Sequence, residues 1–160
     1  DCLINENENA GELHDKLMLL GQSTVIETLE LIEKNEIKTT LQVDYDDIKT
    51  AYKLNKENCK IDFSKTGTAI HNLIRGLSPY PAAFIKNKEE EWNVKIYEAD
   101  FIKEEHNFET GQLIATKKEM KIAVINGFLH IKSIQFPGKK RMKTHEILNG
   151  MSFESTAKAL

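Results

Sequence analysis

The sequence predicts an α+β fold, mainly β: a small antiparallel β-barrel with flanking helices, preceded by an isolated amphipathic helix and a linker. Three observations carry this. Apolar residues alternate with period two in four short runs between positions 92 and 134. They recur at spacings of three and four in two upstream segments, and a polar stretch without period separates those segments. The boundaries that follow are 1–37 for the isolated helix, 38–60 for the linker and 61–160 for the barrel domain.

Each element has a local reason. Asn9 is placed to cap the first helix and Glu12 stands three residues later, as a capping box requires; Leu13, Leu17, Leu20, Ile26, Leu29 and Ile32 then form one apolar face. Gly21 interrupts it at a cost of about 1 kcal/mol against alanine, so a kink or a closely packed neighbour is expected there. Nothing else in the first 50 residues offers that face a partner. Residues 38–60 are polar and include the acidic stretch Asp44-Tyr45-Asp46-Asp47. Ser64 is the expected cap of a second helix carrying Ala69, Ile70, Leu73, Ile74 and Leu77, which must stop at Ser78 because Pro79 and Pro81 follow. Strands are expected through Trp92, Val94, Ile96 and Tyr97, then at 113–115, 122–124 and 128–134, with Asn126-Gly127 as a tight hairpin turn. Thr144 is the expected cap of a short closing helix through Ile147 and Leu148.

Composition excludes several classes. The 160 residues carry a formal charge of −3 and are 40% apolar, which fits a globular domain and excludes a disordered tail or a collagen-like chain. No apolar run is long enough for a membrane helix and no secretory pattern opens the chain, so a cytoplasmic setting without a membrane partner is expected. Cys2 and Cys59 are too far apart, and too isolated from other ligands, to suggest a disulfide framework or a zinc site. The charge is unevenly spread: residues 1–50 hold 12 acidic and 4 basic side chains, whereas 101–160 hold 6 acidic and 10 basic. From Met120 to His145 there is no carboxylate at all. A local field of this kind can hold an anionic partner that the net charge would repel.

No phosphate-cradling glycine loop, nucleophile elbow or paired metal-ligand spacing is present. His14 and Asp15 are adjacent on a helix and therefore face different directions, which argues against a general-base pair. His71 and Arg75, four apart, could present two donors to one anion, but the spacing alone favours a solvated helix face. The aromatics Tyr80, Phe84, Trp92, Tyr97, Phe128 and Phe136 could offer stacking platforms for bases but read as core at strand spacing, Tyr80 standing between two prolines. The strongest feature is Phe136-Pro137-Gly138-Lys139-Lys140-Arg141-Met142, where a Pro-Gly turn displays three consecutive cations on a tip. Cations so displayed can neutralise phosphates and release counterions. Lys139, Lys140 and Arg141 are the leading candidates, followed by Lys143, Lys132 and Arg75. Only two of the 22 basic side chains are arginines, which is lean for shape-specific RNA recognition.

These residues also carry a family resemblance. Ala10-Gly11-Glu12-Leu13-His14-Asp15-Lys16-Leu17 resembles the start of the last catalytic-domain helix of methionyl-tRNA formyltransferases. Ile61-Asp62-Phe63-Ser64 and Ile70-His71-Asn72-Leu73-Ile74-Arg75-Gly76-Leu77-Ser78-Pro79-Tyr80-Pro81 resemble the opening of that family's C-terminal domain. Val94-Lys95-Ile96-Tyr97-Glu98-Ala99 is similar to its first long strand, and Pro137-Gly138-Lys139-Lys140-Arg141-Met142 with Leu148-Asn149-Gly150 to its end. The resemblance implies an OB-like barrel that holds initiator methionyl-tRNA. An N-terminal catalytic domain, missing here, would move a formyl group from 10-formyltetrahydrofolate to the methionine amino group. It further implies no catalytic residue, metal or cofactor site within this chain, because the family's catalytic Asn, His and Asp have no counterpart in it. Two alternatives stay open: the C-terminal domain of a sugar-nucleotide formyltransferase, and a stand-alone OB-like nucleic-acid-binding module.

Overall fold

Antiparallel pairing organises the second half of the chain, as the period-two runs require. The computed structural model describes residues 2–43, 48–86, 93–151, 153 and 159. In chain order its elements are α1 (Ala10–Glu33), α2 (Gly67–Leu77), β1 (Ala83–Lys86), β2 (Asn93–Lys103), β3 (Leu113–Ala115), β4 (Met120–Val124), β5 (Gly127–Gln135), β6 (Met142–Lys143) and α3 (Thr144–Leu148). The strands form one sheet in the order β1-β2-β5-β4-β3, with β6 also on β5. One edge of β5 is lined by β2, from Lys95 opposite Gln135 to Lys103 opposite Gly127. The other edge is shared between β4, along residues 127–130, and β6, at Ser133 and Ile134. β5 is therefore the spine of the sheet.

Closure into a barrel, expected from the sequence, does not occur among the described residues; β1 and β3 remain at the two edges. β3 has only three residues to offer. The outer edge of β1 instead takes a parallel bridge from Lys60 to Phe84, and Ala159 donates its N–H to Gly111 beside β3. Two strands escaped the sequence reading. β1 follows directly on the two prolines, and β6 is a two-residue strand in a segment read as loop. Trp92 and the acidic stretch 44–47 lie outside the described residues.

α1 begins as expected. Asn9 Oδ1 accepts from the Glu12 N–H at 3.0 Å, and the Glu12 carboxylate accepts from the Asn9 N–H at 2.9 Å. The helix buries no residue: Leu17, Leu20, Ile26, Leu29 and Ile32 are 43–56% exposed. It runs through Gly21 unbroken, and no described atom lies within 4 Å of where a Cβ would stand. α2 is capped by Thr66, not Ser64. Asp62 Oδ1 accepts from the Ser64 N–H in a tight turn, and Thr66 Oγ1 two residues on accepts from the Ala69 N–H. Ile70, Ile74 and Leu77, at i, i+4 and i+7, are buried in the core that α2 shares with β2, each burial contributing roughly 1.5–3 kcal/mol.

The β4–β5 loop and the cap of α3 also differ from the sequence expectation. Ile125 and Asn126 form the β4–β5 loop, so Gly127 opens β5 instead of filling the turn; a Cβ on it would stand 2.1 Å from the Ile102 carbonyl oxygen of β2. Thr144 is the first residue of α3 and not its cap. Its buried hydroxyl donates to the Ile131 carbonyl at 2.6 Å, while Glu146 accepts from the N–H of the capping Lys143. Phe84 and Phe128 are buried as expected, Tyr97 and Phe136 are half-buried, and Tyr80, expected in the core, is instead 85% exposed. Cys59 is buried in the core as a packing thiol.

Candidate nucleic-acid interface

The loop between β5 and β6 is a hydrogen-bonded four-residue turn. Lys139 N–H donates to the Phe136 carbonyl at 3.1 Å, Pro137 follows, and Gly138 has φ +68°. Proline second and a positive-φ glycine third is the sequence demanded by a type II turn. The turn is pinned to the sheet. Tyr97 Oη donates to Gln135 Oε1 at 2.6 Å, and Gln135 Nε2 donates onward to the Lys139 carbonyl at 2.8 Å. Lys139 and Lys140 are exposed, as is Lys143 at the start of α3. Lys95 of β2, opposite Gln135, lines the same shallow cleft as Phe136, Pro137 and Gly138. Among the described residues no carboxylate pairs with these four lysines. Lys95 was missed because only the strand register places it beside a turn 40 positions later.

The other candidates are differently placed. Arg141 is folded back from the tip: Nε donates to Ser133 Oγ at 2.7 Å, the guanidinium lies 4.7 Å from the Tyr97 ring centroid, and Nη2 is 3.8 Å from a Glu98 oxygen. The expectation of three free cations thus becomes two, because a planar fork next to an aromatic face and a hydroxyl is held by both. Lys132 is ion-paired with Asp100 on β2, and that hydrogen bond raises its pKa. Arg75 lies on α2, donating from Nε to Asn72 at 2.8 Å and from Nη1 to the Glu8 carbonyl at 3.0 Å. The chain's two arginines in fact line one polar cavity of about 500 Å³, together with His71, Tyr97, Glu98 and Asp100. Arginine fastens here, and lysine faces solvent.

Burial holds His71 below its ordinary value of 6.5, and the Arg75 charge pushes the same way. Unfolded His71 therefore takes up its proton at higher pH than the folded residue does. Stability contributed by the neutral form is present above about pH 6.5 and is lost as pH falls through and below it. Urea midpoints measured from pH 8 to 5.5 should decline, and His71→Gln should flatten that decline.

His14 and Asp15 do meet, with Nδ1 3.1 Å from Oδ1, contrary to the expectation for adjacent helix positions, but both side chains are 74% exposed. A pair in bulk solvent lacks the enclosure that tunes a general base. Among the described residues no cluster of His, Cys, Asp or Glu could hold a metal ion, and no helix is long and apolar enough to cross a membrane.

Comparison with known proteins bears on this surface. The chain is 60% identical over 160 residues to the methionyl-tRNA formyltransferase of Flavobacterium johnsoniae, covering 99% of this chain and 51% of that protein. It is 39% identical to the methionyl-tRNA formyltransferase of Bacteroides thetaiotaomicron, covering 92% and 48%. The chain spans about half the length of the curated relatives it matches. Among solved structures, HypX from Aquifex aeolicus shares the fold at TM-score 0.68 and 16% identity, over 93% of this chain and 27% of that one. WlaRD, a sugar 3N-formyl transferase solved in the presence of dTDP and 5-N-formyl-THF, aligns at TM-score 0.55 and 26% identity, over 86% and 47%. Residues 53–152 match the family described as formyl transferase, C-terminal domain, and the chain belongs to that family.

Proposed function

We propose that this chain is the tRNA-docking half of a cytoplasmic methionyl-tRNA formyltransferase. In this reading residues 61–160 hold initiator methionyl-tRNA, 38–60 link, and 1–37 end a catalytic domain whose remainder lies upstream. That upstream part takes 10-formyltetrahydrofolate and transfers its formyl group to the methionine amino group. The observation that carries the reading is the pinned turn, on which Lys139 and Lys140 have no counter-ion among the described residues, flanked by Lys143 and Lys95. The likeness to methionyl-tRNA formyltransferases supports it. An enzyme acting at one end of a large anion gains from contacts far from the reacting atoms, since they lower the entropic part of the barrier. The exposed apolar face of α1, without a partner among the described residues, is what such an upstream domain would cover. Lys132, Arg141 and Arg75 contribute less to RNA in this reading, because each already has a partner in the fold.

Phosphate contacts position without specifying sequence, so discrimination among tRNAs falls to the upstream part. The test is tRNA binding by the full-length enzyme across a salt series, with Lys139→Ala and Lys140→Ala combined. Affinity should fall and the log–log salt slope should become shallower by about 2, near 0.9 for each phosphate that is no longer neutralised. The likeness to a sugar 3N-formyl transferase supports a second reading, the C-terminal domain of an enzyme with a small substrate. That reading wins if the slope is unchanged and the enzyme formylates a nucleotide-linked amino sugar.

A further inference from the structure

Among the described residues α1 touches the rest of the chain near its first turns, and there the contacts are specific. The N–H of Gly11, one of the donors a helix leaves unsatisfied at its start, donates to the Ser78 carbonyl at 3.0 Å. Ser78 is the C-cap of α2 and is 2% exposed. The negative end of one helix thus meets the positive end of another, a favourable juxtaposition of dipoles. Arg75, in the last turn of α2, reaches across to the Glu8 carbonyl at 3.0 Å. Glu8 is itself fixed, accepting from the Asn5 N–H at 2.8 Å and ion-pairing with Lys16, which also donates to the Leu3 carbonyl at 2.9 Å. These bonds hold the Glu8 carboxyl below its ordinary range. Pro79 closes on Gly11 so tightly that an added Cβ would stand 2.6 Å from its Cδ. From Leu17 onward the helix is exposed.

We infer that this clasp, Gly11 against Ser78-Pro79 with Arg75 on the Glu8 carbonyl, sets where the body packed on α1 stands relative to the lysine turn, making Gly11 and Arg75 positioning residues for formyl transfer. The inference rests on the reading above, because it needs a catalytic part on α1 and a tRNA on the turn. A substrate held by one half and processed by the other responds to the distance between them. Alanine at position 11 must push Pro79 away by on the order of 1 Å to reach ordinary carbon contact distance. Displacements of that size, even far from the chemistry, can cost about a hundredfold in rate.

The test uses the full-length enzyme and two substrates: methionyl-tRNA, and a methionylated acceptor-stem minihelix too short to reach Lys139 and Lys140. Gly11→Ala and, separately, Arg75→Ala should lower kcat/KM for the whole tRNA by about tenfold to a hundredfold. Both should leave kcat/KM for the minihelix within about twofold of the unaltered enzyme, since that substrate does not span the clasp. Arg75→Lys, keeping charge without the fork, should recover only part of the loss. Gly76→Ala, an exposed helix position where the new Cβ meets no described atom within 4 Å beyond its neighbours and its own helix backbone, serves as control. Equal losses on both substrates would assign the clasp to stability alone, and no loss on tRNA in either variant would remove it from the mechanism. If Gly11→Ala fails to fold, Arg75→Ala, which removes a donor without adding an atom, decides. The reading beneath is checked separately: were it wrong, the unaltered enzyme would use tRNA no better than the minihelix.

Discussion

Gly127→Ala is expected to unfold the sheet domain or leave it severely weakened, at a cost on the order of 3–5 kcal/mol. The Cβ would stand 2.1 Å from the Ile102 carbonyl oxygen and 3.0 Å from Lys103 Cα. Both are backbone atoms of the paired strand β2, so no side chain can rotate out of the way. Relief requires β2 and β5 to separate where their ladder ends at Lys103 opposite Gly127. The same opening disturbs the β4 partner, since Val124 pairs with Gly127 on the other edge. Gly76→Ala gives the contrast: open space around the site and a helical position, where alanine should stabilise by up to about 1 kcal/mol. Urea denaturation followed by circular dichroism measures both. A Gly127→Ala protein of unaltered midpoint would mean that β2 and β5 do not pair as described.

The second large effect is a complete one. The 160-residue chain alone is expected to transfer no formyl group from a folate donor to methionyl-tRNA above the uncatalysed rate, while still binding tRNA in a salt-dependent way. Acyl transfer to an amine needs a base, a site for the developing oxyanion and a shielded donor. The described residues offer His14 and Asp15 in open solvent, and a cavity in which the arginines are already committed to the fold. Radiolabelled formyl transfer by this chain, measured beside a full-length relative as positive control, is decisive, and turnover by the chain would place chemistry within these residues after all.

How much of this was legible in the sequence depends on the range of the interaction. Local codes read correctly: the Asn9–Glu12 capping box, the stop at Ser78, and three strands close to their bounds. Codes that compete locally were misassigned by a residue or two. Ser64 and Thr66 are both good caps, and Asp62 decided between them by taking the Ser64 N–H. Thr144 was drawn from capping by a carbonyl 13 positions away. What stayed hidden was set by register. Lys95 next to the turn, Arg141 over Tyr97, Arg75 on Glu8 and the sheet's open edges all depend on strands and helices meeting across 38 or more positions or failing to meet. Three adjacent basic residues look alike in a sequence, yet only a fold determines that the third turns inward.

The bonds from Tyr97 through Gln135 to the Lys139 carbonyl bear on entropy. A loop that must be ordered by its ligand loses backbone freedom at the moment of binding, on the order of 1–2 kcal/mol per residue. If the lysine turn takes a phosphate as proposed, that loss is incurred during folding, because the carbonyl of Lys139 is already held. The lysine side chains, by contrast, keep their rotamers and can follow a phosphate ribbon whose spacing varies. On that reading the surface combines a stiff mount with compliant contacts: it would fix where an anion docks without dictating the shape of the anion, which suits a part that must grip one molecule after another and let each go.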